Sequence, residues 1–142
     1  MIDPELVTRK ILLITSDLAA LAPVAGKPLD AYLASDLDEV LAERYLERII
    51  GRMIDINYHL ITESGPPPPP DYFESFTRLG RLGVLDLDFA RRIAACAGLG
   101  NRIVHEYDEI DPGKVHEALQ AAMRDIPLYL RCVNGYLSKT GR

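Results

Sequence analysis

Apolar residues return every three or four positions along nearly the whole chain, and strand-like alternation is almost absent. That spacing is the period of an α-helix with one buried face, so the pattern predicts an all-α protein. The first helix opens at Asp3, a good cap, with Pro4 at the first helical position, where its missing N–H removes nothing. Leu6, Ile11, Ile14, Leu18 and Leu21 form its stripe, and Pro23, Gly26 and Pro28 are expected to end it. The longest element is expected from about Ser35 to Glu63, with Asp36 and Glu39 spaced as a capping box. Leu46, Ile49, Met53, Ile56 and Leu60 share one of its faces, while Glu43, Glu47, Arg48 and Arg52 take others.

Pro66 to Pro70 make the clearest break, because successive prolines cannot donate helical hydrogen bonds and adopt an extended left-handed conformation. Neither side could bury a core alone, so this is a stiff connector between helices of one domain spanning 1–142. A short helix carrying Tyr72, Phe73, Phe76 and Leu79 is expected to end near Gly80 and Gly83. The next begins at Asp86, and Gly98 and Gly100 should weaken it. The last helix starts with Asp111 as cap and Pro112 behind it, and runs to about Leu137. Pro127 should kink it or split it. The expected architecture is an antiparallel bundle of about five helices.

With 142 residues the chain is close to the usual size of one domain, and a mean hydropathy of +0.00 fits neither a disordered nor a membrane protein. Met1 to Glu5 hold no basic segment leading into a long apolar run, and no stretch is apolar enough to span a bilayer, so a cytoplasmic protein is expected. The net charge of −5 excludes a generally basic coat for nucleic acid, so any such role must rest on a local patch. Cys96 and Cys132 have neither the number nor the spacing of a zinc site or a disulfide framework, and read as buried free thiols. No pair among His59, His105 and His116 has the spacing of metal ligands on one helix face, so neither a metal nor a cofactor is expected. His59 reads as a polar contact within or at the edge of the bundle, and His116 as solvated.

His105 differs through its neighbours: Arg102 three residues before it, Asn101 before that, and Tyr107 two residues after. An imidazole near neutrality can move a proton, a guanidinium can neutralise developing charge, and an amide can donate to a phosphoryl oxygen. RNA carries its own nucleophile in the 2′-hydroxyl, so this set could cleave it without a metal. Between residues 78 and 102, Arg78, Arg81, Arg91, Arg92 and Arg102 face only Asp86 and Asp88, a basic strip suited to phosphates. Glu106, Asp108, Glu109 and Asp111 then reverse the sign. On spacing alone, an ordinary solvated helical surface would look much the same.

The block from Leu99 through Asn101-Arg102-Ile103-Val104-His105-Glu106-Tyr107 to Asp111 resembles the HepT-like family of HEPN-domain proteins. The resemblance extends to the segments from Tyr45 to Ile61 and from Phe76 to Leu85. It implies an all-α bundle that forms a homodimer, and the metal-independent endoribonuclease toxin of a HEPN/MNT toxin–antitoxin pair. The family signature is Arg, a polar residue, three more residues, His, one residue and Tyr. Asn101 fills the polar position, His105 the histidine and Tyr107 the tyrosine, the site at which the cognate MNT nucleotidyltransferase adds AMP.

Gly100 stands where the signature has its arginine, and losing such a donor commonly lowers a rate by about 10²–10³. The chain is then a degenerate member, a member in which Arg102 substitutes, or a disarmed variant. Two functions follow: a ribonuclease using His105, Asn101 and Arg102, or a catalytically silent scaffold that binds RNA or a nucleotide and pairs with a nucleotidyltransferase.

Overall fold

The computed structural model describes residues 1–105 and 111–140, with residues 99–105 described as helical backbone only. Among the described residues there are six helices and no strand. They are α1 (Pro4–Ala25), α2 (Leu29–Leu33), α3 (Asp36–Thr62), α4 (Tyr72–Leu82), α5 (Leu87–His105) and α6 (Pro112–Thr140). The expected all-α bundle is therefore found, and the element added to the expected five is the five-residue α2. Its pattern is too short to read as periodic; Tyr32, fully buried, holds it against the core.

Local chemistry explains most boundaries. Asp3 accepts hydrogen bonds from the Glu5 and Leu6 amides, and Pro4 follows as the first helical residue. Pro23, expected to end α1, instead lies inside its last turn. Gly26 N–H closes that turn onto Ala22 O at 2.9 Å, and the burial of Val24 and Ala25 favours continuing to it. Ser35, rather than Asp36, caps α3, its hydroxyl accepting from Asp38 N–H at 3.2 Å. α6, at 29 residues against 27 for α3, is the longest helix, because Pro127 neither ends nor divides it. An internal proline opposes a helix by about 3 kcal/mol, and burying Ile126, Tyr129 and Leu130 around it offsets that.

The buried face of α1 is Val7, Ile11, Ile14, Leu18 and Leu21, with Leu6 only half-buried beside it. The α3 stripe is buried as expected, and on α6 Val115, Leu119, Ala122, Ile126, Leu130 and Val133 are buried, with Leu137 half-buried. These residues join Phe76, Leu79, Ile93 and Ala94 in one contiguous core. A buried polar chain crosses it: Asn57 Nδ2 donates to Ser75 Oγ at 3.1 Å, and the Tyr129 hydroxyl donates to Asn57 Oδ1. That chain ties α3, α4 and α6 together; with its polar atoms satisfied, it fixes one helix arrangement.

Pro66–Pro70 are strapped down rather than free. The Tyr58 hydroxyl donates to Pro69 O and Arg78 Nη1 to Pro67 O, each at 3.1 Å, while Pro69 itself is buried.

Candidate functional site

The site-bearing helix α5 is positioned by a tight turn after α4. Gly83 adopts φ +89°, a left-handed conformation that favours glycine, and Val84 N–H reaches back to Leu79 O at 2.9 Å. Val84 and Leu79 are both buried, which seals the turn. A Cβ added to Gly80 would lie 3.1 Å from both Ala90 Cβ and Leu87 Cδ2, so α4 and α5 approach closely because this residue has no side chain. The Asp86 carboxylate accepts from Asp88 N–H at 3.2 Å and Phe89 N–H at 3.4 Å, starting α5 where expected. Ala90, Ile93, Ala94 and Ala97 then face the core.

Gly98 and Gly100 do not stop this helix, which continues to His105. Gly100, Asn101, Arg102 and His105 consequently all lie on its last turns; their side chains are outside the described residues, and so is Tyr107 altogether. Beyond them Asp111 starts α6 as expected, its carboxylate accepting from Gly113 N–H at 2.8 Å.

The four arginines expected to bind RNA divide into two kinds. Arg78 donates to Pro67 O and pairs with Glu74 at 3.4 Å, so it holds the proline strap. Arg92 makes a two-point contact with Asp125, Nε at 3.2 Å and Nη2 at 3.1 Å, and its guanidinium lies 5.0 Å from the Phe89 ring centroid. Arg81 and Arg91 are exposed; Arg91 has only a loose 3.7 Å pairing with Asp88. Arg81 borders a cavity of about 270 Å³ shared with Ile61, Pro66, Arg78 and Leu82.

Two cations on α6, Arg124 and Lys114, were missed by reading charge along the chain. Arg124 also grips Asp125, Nε at 3.0 Å and Nη2 at 3.2 Å. Arg92, Arg124 and Lys114 line one groove of about 410 Å³ between α5 and α6, with Cys96, Glu117 and Asp125. The readable signal was the spacing of the charged Lys114, Glu117 and Arg124, which with Ala121 share the face of α6 opposite its buried residues. Burial alone would raise the Asp125 carboxyl, but hydrogen bonds from Arg124 and Arg92 outweigh it and hold the group below the usual carboxylate range. Burial first, and the nearby Asp125 charge second, push the half-buried Cys96 thiol up to about 11, which leaves it protonated and inert at neutral pH.

The other histidines are structural. His59 Nε2 accepts from Asp3 N–H at 2.9 Å, an edge contact as expected. His116 is not simply solvated: its Nε2 lies 2.9 Å from Lys27 O and its ring 5.2 Å from that of Tyr32. Cys96 and Cys132 are free, as expected, but half-buried rather than buried. No group of three potential metal ligands occurs among the described residues, and no described helix is long and apolar enough to cross a membrane.

A helical bundle with a histidine motif closing its fifth helix has known counterparts. Residues 14–133 match the Ribonuclease HepT-like family. The chain is 38% identical over 136 residues to the tRNA nuclease HepT of Aphanizomenon flos-aquae, covering 96% of this chain and 92% of that protein. The chain belongs to the HepT-like ribonuclease family. Two solved structures share its fold. YutE, a cytosolic protein of unknown function from Bacillus subtilis, superposes with a TM-score of 0.85 at 14% identity, covering 98% of this chain and 93% of YutE. A toxin–antitoxin structure with AMP-PNP gives 0.83 at 19% identity, covering 92% of this chain and 98% of that one.

Proposed function

We propose that this chain is a homodimeric endoribonuclease acting on tRNA, the toxin of a toxin–antitoxin pair, with activity attenuated by Gly100. The observation that carries the reading is the 38% identity to a tRNA nuclease across 96% of the chain. In the mechanism, His105 from one protomer takes the proton of a ribose 2′-hydroxyl as that oxygen attacks the adjacent phosphorus. His105 of the second protomer donates a proton to the departing 5′-oxygen. The new P–O2′ bond replaces the broken P–O5′ bond, leaving a 2′,3′-cyclic phosphate and a 5′-hydroxyl. Asn101 and Arg102 hold the phosphoryl oxygens, and a two-fold axis brings both imidazoles to one cleft. Arg81 and Arg91, with the least engaged guanidiniums of the four, make backbone contacts to RNA.

The antitoxin is an MNT-type nucleotidyltransferase that transfers AMP to Tyr107. An adenylate beside His105 fills the phosphate site and adds negative charge where the substrate phosphate must enter. Occurrence of this fold in a toxin–antitoxin structure supports such a partner.

Gly100 favours a second reading, a silent scaffold that binds RNA and retains the partner without cleaving. Incubation of tRNA with wild type and His105→Ala separates the two. Cleavage by wild type that is lost in His105→Ala supports the nuclease. Binding without cleavage by wild type supports the scaffold, and cleavage undiminished in His105→Ala removes His105 from the mechanism. Mass spectrometry of Tyr107 after incubation with the nucleotidyltransferase and ATP tests the partner; an unmodified Tyr107 excludes it as the target.

A further inference from the structure

The groove between α5 and α6 holds an arrangement that helix packing alone does not require. Asp125 is 2% exposed, yet two arginines share its single carboxylate, leaving a net positive charge at the groove wall. Each guanidinium has five N–H donors and commits only two to Asp125. Both stay substantially open to solvent, Arg92 at 53% and Arg124 at 64%. The remaining donors are thus held in fixed orientation by a buried anion and turned outward. Ala95, Ala118 and Ala121 also line the groove beside Glu117, and its three cations against two carboxylates leave the lining at a net charge of +1. Lys114 stands at the other end, ten residues along α6 and about 15 Å along the axis.

The topology gives the groove a direction. Arg92 lies beside Asp125, so moving toward the end of α5 means moving toward the start of α6. The groove therefore runs from the Arg92–Arg124 pair past Lys114 toward the turns that carry residues 100–105.

We infer that this groove is a backbone-binding track for RNA, in which Arg92 and Arg124, positioned by Asp125, and Lys114 contact phosphates away from the scissile one. The inference rests on the RNA-directed reading above and deepens it. Fixed guanidiniums suit phosphate because planar two-point recognition loses little side-chain freedom when the anion arrives.

The test is fluorescence anisotropy with a short 2′-O-methyl RNA, which cannot be cleaved, over a series of salt concentrations. Arg124→Gln leaves the Arg92–Asp125 pair in place, and Lys114→Gln offers a second, independent variant. Each should weaken binding about 10-fold and reduce the slope of log K against log salt by about 0.7. Arg44→Gln, on the exposed face of α3, should change neither. A merely structural role for Arg124 would lower the melting temperature and leave the salt slope alone. Wild-type binding with both groove variants indistinguishable from it overturns the track while leaving the nuclease reading intact. A change of oligomeric state by light scattering in either variant overturns it in favour of a protomer contact, and absence of RNA binding by wild type overturns both readings.

Discussion

Two aspartates in this bundle are each gripped by two arginines, and the two clusters have different consequences. Asp17 on α1 accepts from Arg52 at 2.7 Å and forms an ion pair with Arg48 at 3.2 Å, both on α3, and these cations are 22% and 39% exposed. Asp125 on α6 takes Arg92 from α5 and Arg124 from its own helix, and those cations are 53% and 64% exposed. The first cluster cross-links two long helices through side chains that are mostly covered. The second joins α6 to α5 with one arginine and uses both to line a groove. One electrostatic device therefore fastens helices in one seam and presents cations in another, and the exposure of the arginines decides which.

Substitutions separate the two roles. The largest stability effect is expected for Asp17→Ala, which leaves two covered guanidiniums without their anion; a loss of about 2–3 kcal/mol in urea denaturation follows, with RNA affinity unchanged per folded molecule. Asp125→Asn should lose less, about 1–2 kcal/mol, because its arginines can turn to solvent, yet it should weaken RNA binding. Equal stability losses with equal RNA affinities would break the comparison.

The pH dependence sharpens it. The Asp125 carboxyl is held low in the folded state, so its contribution is complete above the unfolded value of about 3.9 and is lost as pH falls through the lower folded value. The stability gap between wild type and Asp125→Asn should be full at neutral pH and close in strong acid; a gap that widens on acidification contradicts the assignment. Smaller still, Arg124→Gln should change stability by under about 1 kcal/mol, since an exposed cation contributes little, while Arg52→Gln changes it more. Finally, with its thiol raised to about 11, Cys96 should react with iodoacetamide at pH 8 more slowly than an unhindered cysteine, and reaction at the free rate would place it outside the groove wall.

Much of the fold was legible because its signals are local. Asp3 with Pro4, Asp86, and Asp111 with Pro112 announce helix starts through groups that cap the next few amides. Gly83 announces an end through its positive φ. The prolines misled for the opposite reason: whether Pro23 or Pro127 ends a helix depends on burial of neighbours that local sequence does not show. The site divides in the same way. The Asn101 to Tyr107 block is contiguous and so was recognisable. The engagement of Arg92 was not, because its partner lies 33 residues further on, and the groove exists only once α6 folds back along α5.

The most direct test of a ribonuclease site at the end of α5 is cleavage of tRNA by Gly100→Arg, with and without His105→Ala in the same chain. Restoring the motif arginine should raise cleavage by about 10²–10³ over wild type, and removing the imidazole should abolish the gain. Cleavage by Gly100→Arg no faster than wild type, or persisting when His105 is replaced, would contradict the account.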